Sequence, residues 1–269
     1  MAEEEHSKDQ ESVIPNLANA LENPEAPKKR ERYQSQSGFI AVSLHRGYTE
    51  IGILDSNLQS EVGKSAFICG GYVRYCASPR RVPEPASDVD VYCKDEETFL
   101  HLKEFFKRID LSVRHENDIS LTYTLPKEST HPYFYAPAVQ LIKPIREGRV
   151  VANGSMVEIL ENFDFTVIRC GLIDENTAMV DADFLHDEEH KELRLKTIHC
   201  PISSTLRCMK YARKGYWLRP FECLRLFLDW ESRSEDYRNK LRNFLEKSAI
   251  NGEFTKEEVN ELEALMRID

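Results

Sequence analysis

A two-part pattern in the first third of the chain restricts its fold more than any other feature. Ile68-Cys69-Gly70-Gly71-Tyr72-Val73-Arg74 is followed about a dozen residues later by Ser87-Asp88-Val89-Asp90-Val91. Ala66 to Cys69 reads as a strand stopped by the glycine pair, then a short helix carrying Arg74, a loop, and a second strand. Alternation along that strand puts Asp88 and Asp90 on one side, roughly 7 Å apart. Such a pair could hold divalent ions lying about 4 Å apart and clamp the oxygens of a phosphoryl displacement. Gly70 and Gly71 have no Cβ, so their backbone amides can approach a phosphate closely. Arg74, one helical turn on, offers an anion a planar fork of donors. Either half alone is an ordinary turn or a solvated acidic pair. Their order, spacing and β-type neighbours point instead to metal-dependent nucleotidyl transfer.

The flanking sequence supplies a mixed frame for this pattern. Residues 1–35 are polar, charged and proline-punctuated, ending in Lys28-Lys29-Arg30-Glu31-Arg32, and read as a disordered or partner-ordered arm with a weakly apolar patch from Val13 to Leu21. From Gly38 the composition turns globular. Phe39 to Val42 reads as a strand, and Ile51 to Val62 as a helix with Ile51, Leu54, Leu58 and Val62 on one face. Glu96 to Ile109 is a clear amphipathic helix, with Phe99, Leu102, Phe106 and Ile109 at helical spacing. Strands are expected at Ser112-Val113, Ser120 to Leu125, Val139 to Ile142 and Phe163 to Leu172, with a short helix from Ser155 to Leu160.

The remainder is expected to be helical. Ser204 to Tyr216 places Leu206, Met209 and Ala212 on one side and Arg207, Lys210 and Lys214 on the other, with Tyr211 beside the cations. That stripe could hold a triphosphate and stack a base. A last helix begins at the capping box Thr255-x-x-Glu258 and packs Val259, Leu262 and Met266.

Charge and cysteine usage narrow the setting. The chain carries a formal net charge of -10, which argues against a generic nucleic-acid binder. Yet Lys191 to Asp229 holds nine basic residues against three acidic ones, a local +6 suited to phosphates. The seven cysteines show no Cys-x-x-Cys spacing, so buried reduced thiols in the cytoplasm are expected rather than a zinc site or disulfide framework. No stretch is apolar for long enough to cross a membrane, and the acidic N-terminus lacks the apolar run of a signal peptide.

The Gly-Gly-x-Val-Arg…Asp-x-Asp arrangement resembles the nucleotidyltransferase superfamily of polymerase-β type, and is most similar to its tRNA CCA-adding and poly(A) polymerase branch. Phe163-Asp164-Phe165-Thr166-Val167-Ile168 is similar to that branch's Arg-Arg-Asp-Phe-Thr-Ile-Asn motif. The resemblance implies an α+β fold: a mixed β-sheet nucleotidyltransferase core with flanking helices over residues 36–185, then a helical nucleotide- or acceptor-binding domain over 186–269. It implies Mg²⁺ or Mn²⁺ on Asp88 and Asp90, and an NTP held by Gly70, Gly71, Arg74, Arg207, Lys210, Tyr211 and Lys214. There are departures. Tyr75 stands where the family motif has Asp, and Asn162 and Phe163 replace the paired arginines. Gln140 occupies the position of a third carboxylate, which leaves Asp164 as the expected replacement. Glutamine can orient a group but cannot carry a metal's charge.

Two function classes follow. One is an enzyme moving a nucleoside monophosphate from an NTP to an acceptor, expected to be RNA, with a protein side chain or small molecule as other acceptors. The other is a non-catalytic relative that binds nucleotide, RNA or a protein partner. Gln140 keeps the second class open, and the intact Gly70, Gly71, Asp88 and Asp90 weigh against it.

Overall fold

A computed structural model describes residues 38–45, 48–79, 88–117, 119–124, 138–144 and 153–248. The N-terminal arm, Ser87 and the capping box at Thr255 lie outside the described residues.

The chain is α+β, with a mixed sheet followed by a helical C-terminal region. Its strands are β1 (Phe39–Ser43), β2 (Ala66–Cys69), β3 (Val89–Cys93), β4 (Ser112–Glu116), β5 (Ser120–Thr124), β6 (Val139–Ile142), β7 (Cys170–Asp174) and β8 (Thr177–Asp181). They form one sheet in the order β1-β8-β7-β2-β3-β6-β5-β4. Only β3 and β6 run parallel, with Asp90 opposite Gln140; the other neighbours are antiparallel. The last strand, β4, is exposed at all five residues, and its register with β5 shifts between Val113 and His115.

The helices before residue 200 are α1 (Tyr48–Val62), α2 (Gly71–Ala77), α3 (Glu96–Arg108), α4 (Met156–Glu161) and α5 (Phe184–His190). Strand alternation sorts the sheet into two faces. Ile68, Val89, Val91, Leu121 and Val139 point to one face, where Leu54 and Leu58 of α1, Tyr72 and Val73 of α2, and Phe99, Leu102 and Phe106 of α3 close the main core. Asp95 caps α3 by accepting from the Thr98 amide at 2.8 Å, and Glu96 and Glu97 suit its positive end. Phe67, Cys69 and Tyr92 point to the opposite face, packing with Ile159 and Leu160 of α4 and with Phe163. Asp90, two residues from Tyr92, shares that second face.

The expected strand from Phe163 to Leu172 is broken. Residues Thr166–Ile168 form a 3-10 turn, and only Cys170–Asp174 enter the sheet. The turn is held by tertiary contacts: Thr166 Oγ1 donates to Asp187 at 2.5 Å, and the Thr166 amide donates to the Arg194 carbonyl at 3.1 Å. Arg169 leaves the turn to pair with buried Asp181 at 2.8 Å.

The C-terminal region comprises α6 (Pro201–Ala212), α7 (Pro220–Ser232) and α8 (Glu235–Ser248), plus a two-stranded parallel pair, β9 (Glu192–Leu193) with β10 (Trp217–Leu218). Prolines at the starts of α6 and α7 fit positions where no intrahelical donor is required. Phe165, Val167, Leu193, Leu195, Tyr211, Tyr216 and Leu226 form a second core between the 3-10 turn and these helices. All seven cysteines are free, four of them buried. No helix among the described residues is long and apolar enough to cross a membrane.

Candidate active site

Gly70 ends β2 with φ +86°, a backbone conformation that only glycine adopts readily, and serves as the N-cap of α2. Its amide donates to the Cys170 carbonyl at 2.7 Å, which fixes the turn against β7. A Cβ built at Gly70 would lie 3.2 Å from Asp90 Oδ2. The glycine therefore answers two demands at once, a left-handed backbone and a carboxylate pressed against it. Asp90 pairs with Cys69 across β2–β3, so strand register brings the acid to the turn. Gly71 opens α2.

Asp88 immediately precedes β3, and both aspartates are half-buried. Burial pushes the Asp90 carboxyl up to about 7; the neighbouring Asp88 charge adds to the shift, while Lys210 and Arg207 oppose it. Gln140 Nε2 donates to Asp88 Oδ2 at 2.9 Å, so the amide at the third-acid position orients the first acid. Two clustered carboxylates, one of them destabilised as an anion, beside a turn without Cβ atoms form a donor set that fits a hard divalent cation. The residues present suit Mg²⁺ or Mn²⁺ through Asp88 and Asp90.

Asp164 is committed elsewhere. It is 5% exposed, and its Oδ2 meets Arg207 Nη1 at 2.6 Å and accepts from Ser204 Oγ at 2.9 Å. Its Oδ1 is buried with no hydrogen-bond partner among the described residues. The face shared by Asp164, Thr166 and Ile168 on a continuous strand does not exist, because the 3-10 turn interrupts it. Asp164 stands as the anchor of Arg207, its charge neutralised there, and not as a free third acid. Burial works against the Arg207 cation, but Asp164 outweighs it and holds the guanidinium charged.

The basic stripe divides. Arg207 and Lys210 lie on α6, with Lys210 exposed and both charges acting on Asp90. Lys214 lies past the helix end, its Nζ 5.5 Å from the Tyr211 ring centroid. Tyr211 is buried, edge-on to Tyr216 at 5.3 Å, and burial pushes its hydroxyl up to about 12. Its ring is already packed, so stacking a base on it would require rearrangement.

Arg74 corrects the expectation that it meets a phosphate. It is 2% exposed, donates to the Tyr216 hydroxyl at 3.1 Å and lies 3.7 Å from Glu188 Oε1. Tyr216 in turn donates to Glu188 at 2.5 Å, and Ser78 donates to the same carboxylate at 3.0 Å. Arg74 thus ties α2 to α5 and to the turn after α6. Glu188 and Tyr216 escaped sequence reasoning because nothing local marks a buried partner so distant along the chain.

His186, Asp187 and Glu192 also converge, with ligand-type atoms within 4.8 Å of one another. Asp187 already accepts from Thr166 and pairs with Arg194 at 3.1 Å, and Glu192 faces Arg219 at 3.8 Å. These cations make the cluster a structural node.

The family model described as Gad2, Gabija anti-defense 2 family protein, matches residues 47–191. No curated protein sequence matches the chain significantly. Among solved structures, the chain is similar to the Bacillus stearothermophilus CCA-adding enzyme in complex with CTP, at 17% identity and a TM-score of 0.46, covering 65% of this chain and 42% of that one. It is similar to a tRNA nucleotidyltransferase complexed with a primer tRNA and an incoming ATP analog, at 20% identity, 77% and 58% coverage and a TM-score of 0.44. A third is the Thermotoga maritima CCA-adding enzyme complexed with tRNA, at 14% identity, 80% and 50% coverage and a TM-score of 0.45. The chain spans about half the length of these structures.

Proposed function

The chain belongs to the Gabija anti-defense 2 family, and from that footing we propose that it is a metal-dependent nucleotidyltransferase acting in counter-defence. The observation that carries this reading is Gly70, held at positive φ with its Cα facing Asp90 Oδ2. Gly63 and Gly215 also hold positive φ but face open space, so the carboxylate against Gly70 is not a requirement of the turn itself. Asp88 and Asp90 would hold Mg²⁺ or Mn²⁺, and Gln140 fixes the orientation of Asp88. When bound, the metal neutralises charge developing on the transferring phosphoryl group and lowers the pKa of the attacking hydroxyl. Gly70 and Gly71 let the triphosphate approach the backbone, and Arg207 and Lys210 add positive charge to the same neighbourhood. Asp164 positions Arg207 through their 2.6 Å ion pair.

The acceptor is RNA on this reading, met by the exposed Lys210, since Lys191, Arg194, Lys196, Arg207, Arg219 and Arg225 are paired with acids, with the components of the defence system that the family description names as the other acceptors to assay. Purified protein with each α-labelled NTP, Mg²⁺ or Mn²⁺, total RNA and reconstituted defence proteins should pass label to an acceptor, and Asp88→Asn or Asp90→Asn should abolish it. Transfer unaffected in both variants would refute the site.

One observation favours a second reading, a binding module that blocks a partner without chemistry. Gln140, uncharged and bonded to Asp88, leaves no anionic base beside the pair among the described residues. Nucleotide binding without label transfer under every condition would select that reading.

A further inference from the structure

The metal site has an imbalance of charge among the described residues. Gln140 is opposite Asp90 on the parallel neighbour strand and contacts Asp88 directly. The orientation of its amide is fixed by chemistry, since a carbonyl oxygen turned toward a carboxylate would set two acceptors against each other. The NH₂ group therefore faces Asp88 Oδ2 at 2.9 Å, where it occupies a lone-pair direction and cannot itself ligate a cation. Asp164, the next acid in this neighbourhood, is neutralised by Arg207 at 2.6 Å. Arg207 and Lys210 both act on Asp90 with positive charge.

Two divalent ions about 4 Å apart repel each other roughly four times as strongly as two unit charges at that distance. Holding them needs a dense set of anionic oxygens, and here the protein offers two carboxylates, one already bonded by the Gln140 amide and the other under the charge of Lys210, while Arg207 is paired with Asp164. One ion, which Asp88 and Asp90 would hold together with the triphosphate's own anionic oxygens, is served by this set, and a second would have to draw on further protein carboxylates. We infer that the site takes a single divalent ion with its nucleotide, and that Gln140 is the residue that bars a second. This rests on the reading of Asp88 and Asp90 as a metal–nucleotide site.

The test is to count Mn²⁺ retained per full-length protein by equilibrium dialysis with a non-hydrolysable NTP, subtracting a nucleotide-only dialysis. The electron paramagnetic resonance spectrum of the same sample is recorded in parallel. Wild type is expected to retain one ion with the resolved spectrum of an isolated Mn²⁺. Gln140→Glu is expected to retain two, with the broadening of a coupled pair, and Gln140→Asp replaces it if a melting curve shows Gln140→Glu unfolded. Two coupled ions in wild type would overturn the inference while leaving the metal–nucleotide reading intact. A folded acidic variant that stays at one ion would also overturn it. No retained ion in wild type, with Asp90→Asn indistinguishable from it, would remove the underlying reading as well.

Discussion

Two carboxylates separated by one residue repel, and burial strips away the water that would screen them. Asp90 bears most of this cost, which is why its carboxyl is pushed up to about 7 while Lys210 and Arg207 only partly relieve it. Replacing it by a neutral isostere should therefore do two opposite things. Asp90→Asn is expected to raise the melting temperature of metal-free protein at pH 8 and to erase the further rise that Mg²⁺ gives wild type. Thermal melts with and without Mg²⁺ check both. Gly70 carries a different burden. Gly70→Ala combines a positive φ of 86° with a methyl 3.2 Å from Asp90 Oδ2. It is expected to destabilise the fold by about 1–3 kcal/mol, read as a lower urea midpoint. It should also weaken nucleotide binding by pushing the turn from the acid pair.

Among the elements, α6 shows how the C-terminal region is tied to the sheet. Arg207→Met removes the partner of a carboxylate that is 5% exposed. Because Arg207 itself keeps 38% of its side chain accessible, the loss should be about 1–3 kcal/mol, below the full cost of breaking a sealed pair. Adding Asp164→Asn should restore much of it, and a double-mutant cycle in urea measures the coupling. Lys210→Ala, at an exposed position, should leave stability within about 0.5 kcal/mol yet weaken nucleotide binding about tenfold. The same helix marks the limit of what the sequence discloses. The alternation of β2 and β3 and the i, i+3 stripe of α3 were readable because one periodic face is buried in each. On α6 the periodicity was equally plain, but its apolar side faces outward: Leu206 and Met209 are 39% and 56% exposed, and Phe221, Leu224 and Leu228 of α7 are more so. Periodicity separates faces without saying which one the core takes. The break at Thr166 was hidden for a related reason, since its β-branched, apolar surroundings match a strand while the bonds that bend it come from Asp187 and Arg194. Arg74 had the spacing of a phosphate ligand and was claimed instead by Glu188 and Tyr216.

For the whole molecule, stability should depend on pH through Asp90. The folded carboxyl keeps its proton up to about pH 7, whereas the ordinary carboxyl value is 3.8, so between these limits the folded chain binds more protons than the unfolded one. Stability from this group is then greatest below pH 3.8, falls as pH rises toward 7, and is level above that. The drop should be on the order of 2 kcal/mol, given partial solvent access. Mg²⁺ competes with that proton, so its stabilising effect should grow over the same window as pH rises. Melting temperatures from pH 4 to 8, compared with Asp90→Asn to subtract other groups, provide the measurement; a difference curve flat in pH would refute it. At the far margin of the sheet, β4 shifts register between Val113 and His115 and presents Arg114, His115 and Glu116 to water. A second molecule offering its own strand there would meet a kinked ladder and a row of charges. Growth of the sheet from chain to chain is thereby disfavoured at that margin.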